Sequence, residues 1–223
     1  MTQSLSRRAL LAGLGVSVLP LGRMTAHAQQ HTAILDTHVH LLRSLHHSQS
    51  LESAAQVALR VMDAFGIERA IVSPPPFNAG HPQGPNPGTL HANIARLERL
   101  LDHNPHARIV WVHAGWDLTG ERTVPLMRDL LERHANLAMS VKYDHAGAKA
   151  TAPFPPDGDA VRPGWIAMLR GFPGRFVVGS DQFIDQGTER LEGARQFVDA
   201  LPPDLARLVG SENAKRIYRL SAM

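Results

Sequence analysis

The chain has 223 residues, 43% hydrophobic and 19% charged, the balance of a globular protein and not of a disordered one. It contains no cysteine, which excludes disulfides, thiolate nucleophiles, zinc ribbons and iron–sulfur clusters. The net charge of +3 and the lack of a basic stripe argue against a nucleic-acid partner, while 13 histidines mean that any transition metal must be held by imidazole and carboxylate.

Residues 1–28 read as an export address. Ser6-Arg7-Arg8 forms a charged start, Ala9 to Leu19 a short apolar stretch softened by Gly and Ala, and Ala26-His27-Ala28 a small-x-small cleavage site. The paired arginines resemble a twin-arginine signal, although Leu10-Leu11 stands where an aromatic is usual. The expected destination is the periplasm, with residues 29–223 as one mature domain of about 195 residues. No run of about 18 apolar residues is present, so no membrane span is expected after processing.

Beyond this segment, strands alternate with helices. Ala33 to His40 reads as a strand running into a loop. Ser50 caps a helix with Leu51, Ala54, Ala55, Ala58, Met62 and Phe65 at helical spacing, ended by Gly66. Ile67 to Ser73 is the second strand. Six prolines and three glycines in the 16 residues from Ser73 to Gly88 make a loop. Thr89 is expected to cap a second helix bearing Leu90, Ile94, Leu97 and Leu101, stopped by Asn104-Pro105.

Arg108 to His113 is the third strand. Thr123 to His134 is a helix with Pro125 in its first turn. Leu137 to Tyr143 is the fourth strand, Ala146 to Gly164 a loop, and Trp165 to Leu169 a short helix. Arg175 to Asp181 is the fifth strand, followed by helices over Gly187 to Leu201 and Ser211 to Leu220. Such alternation predicts a mostly parallel sheet whose ligands bind at the carboxyl ends of the strands. His38, His40, His113, Asp144, His145 and Asp181 all fall there.

The chemistry is concentrated in a few of these positions. In a strand, residues i and i+2 share a face, so His38 and His40 converge on one point. His113 ends an apolar strand and is followed by the small Ala114-Gly115. Asp181 follows four apolar or small residues, where a carboxylate needs a partner such as a metal or a histidine. The bland alternatives are loop histidines, a core histidine bonded to backbone, and an aspartate capping the next segment.

Taken in order, Asp36-Thr37-His38-Val39-His40, Ile109 to Trp116, Val177 to Asp181 and Glu212 to Leu220 resemble the amidohydrolase superfamily. Within it, they resemble the amidohydrolase-related branch that includes aminocarboxymuconate-semialdehyde decarboxylase. The resemblance implies a TIM-barrel-like (β/α) fold with a divalent metal, usually zinc. It assigns His38, His40 and Asp181 as metal ligands and Asp181 as the acceptor of the water proton. It places His113 beside substrate or water, with a move onto the metal as the alternative. It implies a hydrolase of an amide, ester or lactone of a small organic acid. A decarboxylase or hydratase on the same site is the near alternative.

Length opposes a whole barrel. Five strands are legible where eight are implied, and eight βα units need about 250 residues. The units between the second strand and the helix before His113 have no counterpart, and the ligand histidine they carry in the family goes with them. His81 and His91 are the available substitutes. Lys142, Arg43 and Arg162 are candidates for a substrate carboxylate. Open edges would favour a homodimer, and a non-catalytic remnant that binds metal or dimerises is the second reading.

Overall fold

The computed structural model describes residues 3–6, 32–41, 51–73, 86–143, 150–184 and 187–220. Strand β1 is Gln3–Ser6, β2 Ile34–His40, β3 Ile67–Val72, β4 Ile109–Ala114, β5 Leu137–Val141, β6 Phe176–Val178 and β7 Gln182–Phe183. Helix α1 is Leu51–Ala64, α2 Pro87–His103, α3 Val124–Arg133, α4 Pro163–Gly171, α5 Glu189–Asp199, α6 Pro203–Arg207 and α7 Asn213–Ile217. A turn of π-helix, Leu208–Glu212, joins α6 to α7. The fold is therefore mixed α/β, with parallel strands alternating with helices.

Two parallel three-stranded sheets form, β3-β2-β7 and β4-β5-β6. The last strand differs from expectation. It does not run from Arg175 to Asp181 but ends at Val178, with Phe176–Val178 paired to β5, and a separate short strand after it, Gln182–Phe183, pairs with β2. The chain crosses over at Gly179-Ser180-Asp181, where Gly179 N donates to Val141 O (2.9 Å) and Asp181 N to His38 O (2.8 Å). Asp181 takes a positive φ of 58°, which breaks the extended run. This junction carries the site, because it brings the ends of β2, β4 and β5 to one place.

Local chemistry sets the helix ends. α2 starts earlier than expected because Asn86, not Thr89, is the cap. Its side chain accepts from Gly88 N at 2.9 Å, and Pro87 fills the first turn, where no donor is needed. Thr123 stands just outside α3 as its cap, accepting from Leu126 N, and Pro125 sits in the first turn as expected. The terminal helix is shorter than the Ser211 to Leu220 expected, and the π turn supplies its first part. Trp165, Phe154, Phe176 and Phe197 pack with the apolar faces of the strands as the buried core.

The outer edge of β3 is paired antiparallel with β1, from Gln3 against Val72 to Ser6 against Arg69. The remainder of the expected export segment, the capping Ser50, His81, Arg43, Asp144 and His145 lie outside the described residues. Among the described residues β4 pairs only with β5, and Val112 on it is 38% exposed.

Candidate metal centre

β2 places His38 and His40 on one face, as the period of two requires. The cross-over brings Asp181 against them. His38 Nε2 lies 3.1 Å from His40 Nε2 and 3.5 Å from Asp181 Oδ1, and His40 Nε2 lies 3.3 Å from the same oxygen. Three donor atoms thus form a nearly equilateral triangle. Ligands of a tetrahedral zinc at about 2.0–2.1 Å stand about 3.4 Å apart, so the triangle has the dimensions of one face of that tetrahedron. His113 Nε2 approaches Asp181 Oδ2 at 3.6 Å, and its ring stacks on His38 with centroids 5.3 Å apart. Donor atoms of His38, His113 and Asp181 all lie within 4.8 Å of one another, a group placed to hold a metal ion.

The tautomer of His40 suits this role. Its Nδ1 sits 3.2 Å from Ser73 O, and a carbonyl can only accept, so Nδ1 carries the proton. Nε2 then turns its lone pair to the cluster, as a ligand must. Phe183 of β7 stacks on the other side of the ring at 4.6 Å.

Asp181 uses its two oxygens differently. Oδ1 faces the His38 and His40 imidazoles. Oδ2 accepts from Lys142 Nζ at 2.8 Å and from Arg190 of α5 at 2.9 Å. Each cation also lies over an aromatic ring, Lys142 over Trp116 at 4.1 Å and Arg190 over Phe183 at 5.2 Å. Burial alone would raise the Asp181 carboxyl. The neighbouring His113 and His40 side chains and the Lys142 ammonium overturn that and hold it well below the usual carboxylate range. Burial pushes the His38 imidazole down to about 4, against the pull of Asp181 and with the help of His113, His40 and Lys142. Burial also lowers His113, opposed by Asp181. The His38 and His113 imidazoles are therefore neutral near pH 7, the form that binds metal.

Asp36 lies beneath the cluster, fully buried. Its Oδ1 accepts from His38 N and Ser180 N, both at 3.0 Å, which ties β2 to the cross-over. Burial raises its carboxyl to about 6 despite these bonds. Thr37 ties the same seam from its neighbouring position, donating to Val178 O at 2.8 Å and lying 3.1 Å from Ser140 Oγ.

All four expected site residues, His38, His40, His113 and Asp181, meet at this junction. His91 does not join them; it pairs with Glu121 at the surface. Lys142 is present but faces Asp181, and Arg162 belongs to the turn before α4. Sequence reasoning missed Arg190, Trp116 and Phe183 as site residues. Lys142 had a legible signal, since a lysine directly after the apolar run of β5 needs a buried carboxylate, the argument already applied to Asp181. Comparison with protein-family models, curated proteins and solved structures finds no match to this chain.

Proposed function

We propose that the chain is a metal-dependent hydrolase of the amidohydrolase-related type, built on a shortened TIM-barrel-like fold and acting on an amide, ester or lactone of a small organic acid. The observation that carries this reading is the triangle of His38 Nε2, His40 Nε2 and Asp181 Oδ1, with sides of 3.1, 3.3 and 3.5 Å. A bound divalent ion, zinc by its fit to imidazole and carboxylate, supplies Lewis acidity and brings a water's pKa toward neutrality.

The side chains divide the remaining work. His38, His40 and Asp181 Oδ1 would hold the ion and leave its fourth position to water, with His113 beside that position. Lys142 and Arg190 commit Asp181 Oδ2, so Asp181 anchors the centre and is a poor proton acceptor. That is a change from the role the resemblance implies. His113 then takes the proton and hydrogen-bonds the developing oxyanion. Trp116 and Phe183 wall the site with rings that limit water.

The test is metal content. Purified protein is expected to carry close to one zinc per chain, and His38→Ala is expected to abolish it. A chain that holds no metal and whose melting temperature ignores a chelator sinks the reading. Hydrolysis is favoured over decarboxylation by release of a new acid from small esters and lactones.

Two further expectations belong to the same proposal. The β4 edge, with Val112 exposed, favours a homodimer, which the mass in size-exclusion chromatography checks. Export by the twin-arginine route predicts a periplasmic protein whose first residue is Gln29.

A further inference from the structure

We propose that Arg122 is a positioning residue that holds His113 in the cluster through the backbone. The inference rests on the metal-centre reading and deepens it. His113 has φ 66° and Asp181 φ 58°; of the described non-glycine residues only Arg219 shares this region. A side chain with a Cβ is disfavoured there by its clash with the carbonyl, and the conformation persists only where surroundings enforce it.

Both left-handed residues have an arginine on their own carbonyl oxygen. Arg122 NH1 donates to His113 O at 2.9 Å and to Val112 O at 3.0 Å. Arg190 NH1 donates to Asp181 O at 2.5 Å. Arg190 also touches the Asp181 carboxylate, so its two actions cannot be separated by substitution. Arg122 offers the cleaner case.

The site of Arg122 is built. The residue is 5% exposed, and its guanidinium lies 4.2 Å over the Trp111 ring. Its backbone N–H donates to Asp117 Oδ2 at 3.2 Å. Asp117 is itself buried and accepts from Thr119 N (3.1 Å) and Thr119 Oγ1 (2.7 Å). The segment from Asp117 to Arg122 therefore forms a bracket folded back onto the end of β4. The β4–β5 pairing shifts register between Trp111 and Ala114. The guanidinium thus grips the strand where the sheet's own ladder is irregular. Burying a guanidinium is costly, and here it is spent on the two carbonyls that define the turn at His113.

The experiment compares Arg122→Met and Arg122→Lys with Arg195→Met in the full chain. Arg195 also holds backbone carbonyls, Thr32 O at 2.7 Å and Phe65 O at 3.5 Å, but elsewhere. Two readouts are used: cobalt(II) affinity from its d–d absorption, and the His113 ring resonance of the metal-free chain, assigned with His113→Gln. Arg122→Met is expected to weaken cobalt binding about tenfold, the size of an outer-shell loss, and to move the His113 resonance. Arg122→Lys is expected to recover part of both. Arg195→Met is expected to lower the melting temperature and leave both unchanged. An unmoved His113 resonance in Arg122→Met, or an equal movement in Arg195→Met, overturns the proposal. A parent chain that binds no cobalt defeats the metal-centre reading, and the resonance alone then decides the role of Arg122. If Arg122→Met does not fold, Arg122→Lys and Arg122→Gln give the same comparison.

Discussion

Lys142 Nζ lies 2.8 Å from Asp181 Oδ2, and the lysine is only 2% exposed. A buried ammonium and the carboxylate it neutralises must be kept or removed together. Lys142→Met is therefore expected to destabilise the metal-free chain by about 3 kcal/mol, the low end for breaking a buried pair, because Arg190 remains. Lys142→Met combined with Asp181→Asn is expected to recover most of that loss. Zinc affinity should move the other way in Lys142→Met, since a cation competing for Asp181 is gone. Urea unfolding and zinc titration check the two signs, and a parent-like urea midpoint for Lys142→Met contradicts the account.

Asp36 and His38, two positions apart on β2, are shifted in opposite directions. His38 falls from 6.5 to about 4 in the fold. Its contribution to stability is present above pH 6.5 and is lost as pH falls through 4. Asp36 rises from 3.8 to about 6. Its contribution is present below pH 3.8 and is lost as pH rises through 6. Each amounts to about 3 kcal/mol by linkage, so between pH 4 and 6 they largely offset. Asp36→Asn removes one side of this balance. With chelator present, its stability is expected to fall by about 2 kcal/mol more than the parent's between pH 6.5 and 4. Parallel pH curves for the two proteins rule the balance out.

Gly179 is required by space at the cross-over. A Cβ there would meet Ser140 Oγ at 2.3 Å and both His38 Cβ and Thr37 Oγ1 at 3.0 Å. Gly179→Ala is expected to cost about 2 kcal/mol as overpacking and to displace His38. Calorimetry reads the first effect and weakened zinc binding the second. A Gly179→Ala chain with unchanged zinc affinity shows that His38 does not depend on this contact.

Asn213 gives the terminal segment a structural task. Its Nδ2 donates to Pro173 O at 2.8 Å and Phe176 O at 2.9 Å, with the residue 2% exposed. Asn213→Ala leaves those carbonyls unpaired near β6 and is expected to cost about 2 kcal/mol. Zinc affinity measured on the folded fraction should stay at the parent value.

The strands and the four converging residues were legible because their signals are local. His38 and His40 follow from a two-residue period, and His113 and Asp181 from polar groups ending apolar runs. The end of the strand at Val178 and the separate short strand after it were not legible, since their partners, β5 and β2, are chosen by distant residues. The left-handed turns at His113 and Asp181 were hidden for a related reason. Nothing in a histidine or an aspartate announces φ above zero, and the arginines that hold their carbonyls come from a later loop and helix. The Asn86 cap of α2 is hidden in the sequence because it lies inside the Pro/Gly-rich stretch whose composition signals loop.

The bond from Ser180 N to Asp36 joins residues 144 positions apart. Contacts so remote in sequence close late and slow folding. During synthesis His38, His40 and His113 all emerge before Asp181 exists, so the nascent chain has the imidazoles of the candidate centre without its carboxylate. The candidate centre is complete only once the cross-over at Gly179-Ser180-Asp181 is made, so a product truncated before Asp181 would lack both its carboxylate and the Asp181 N to His38 O bond.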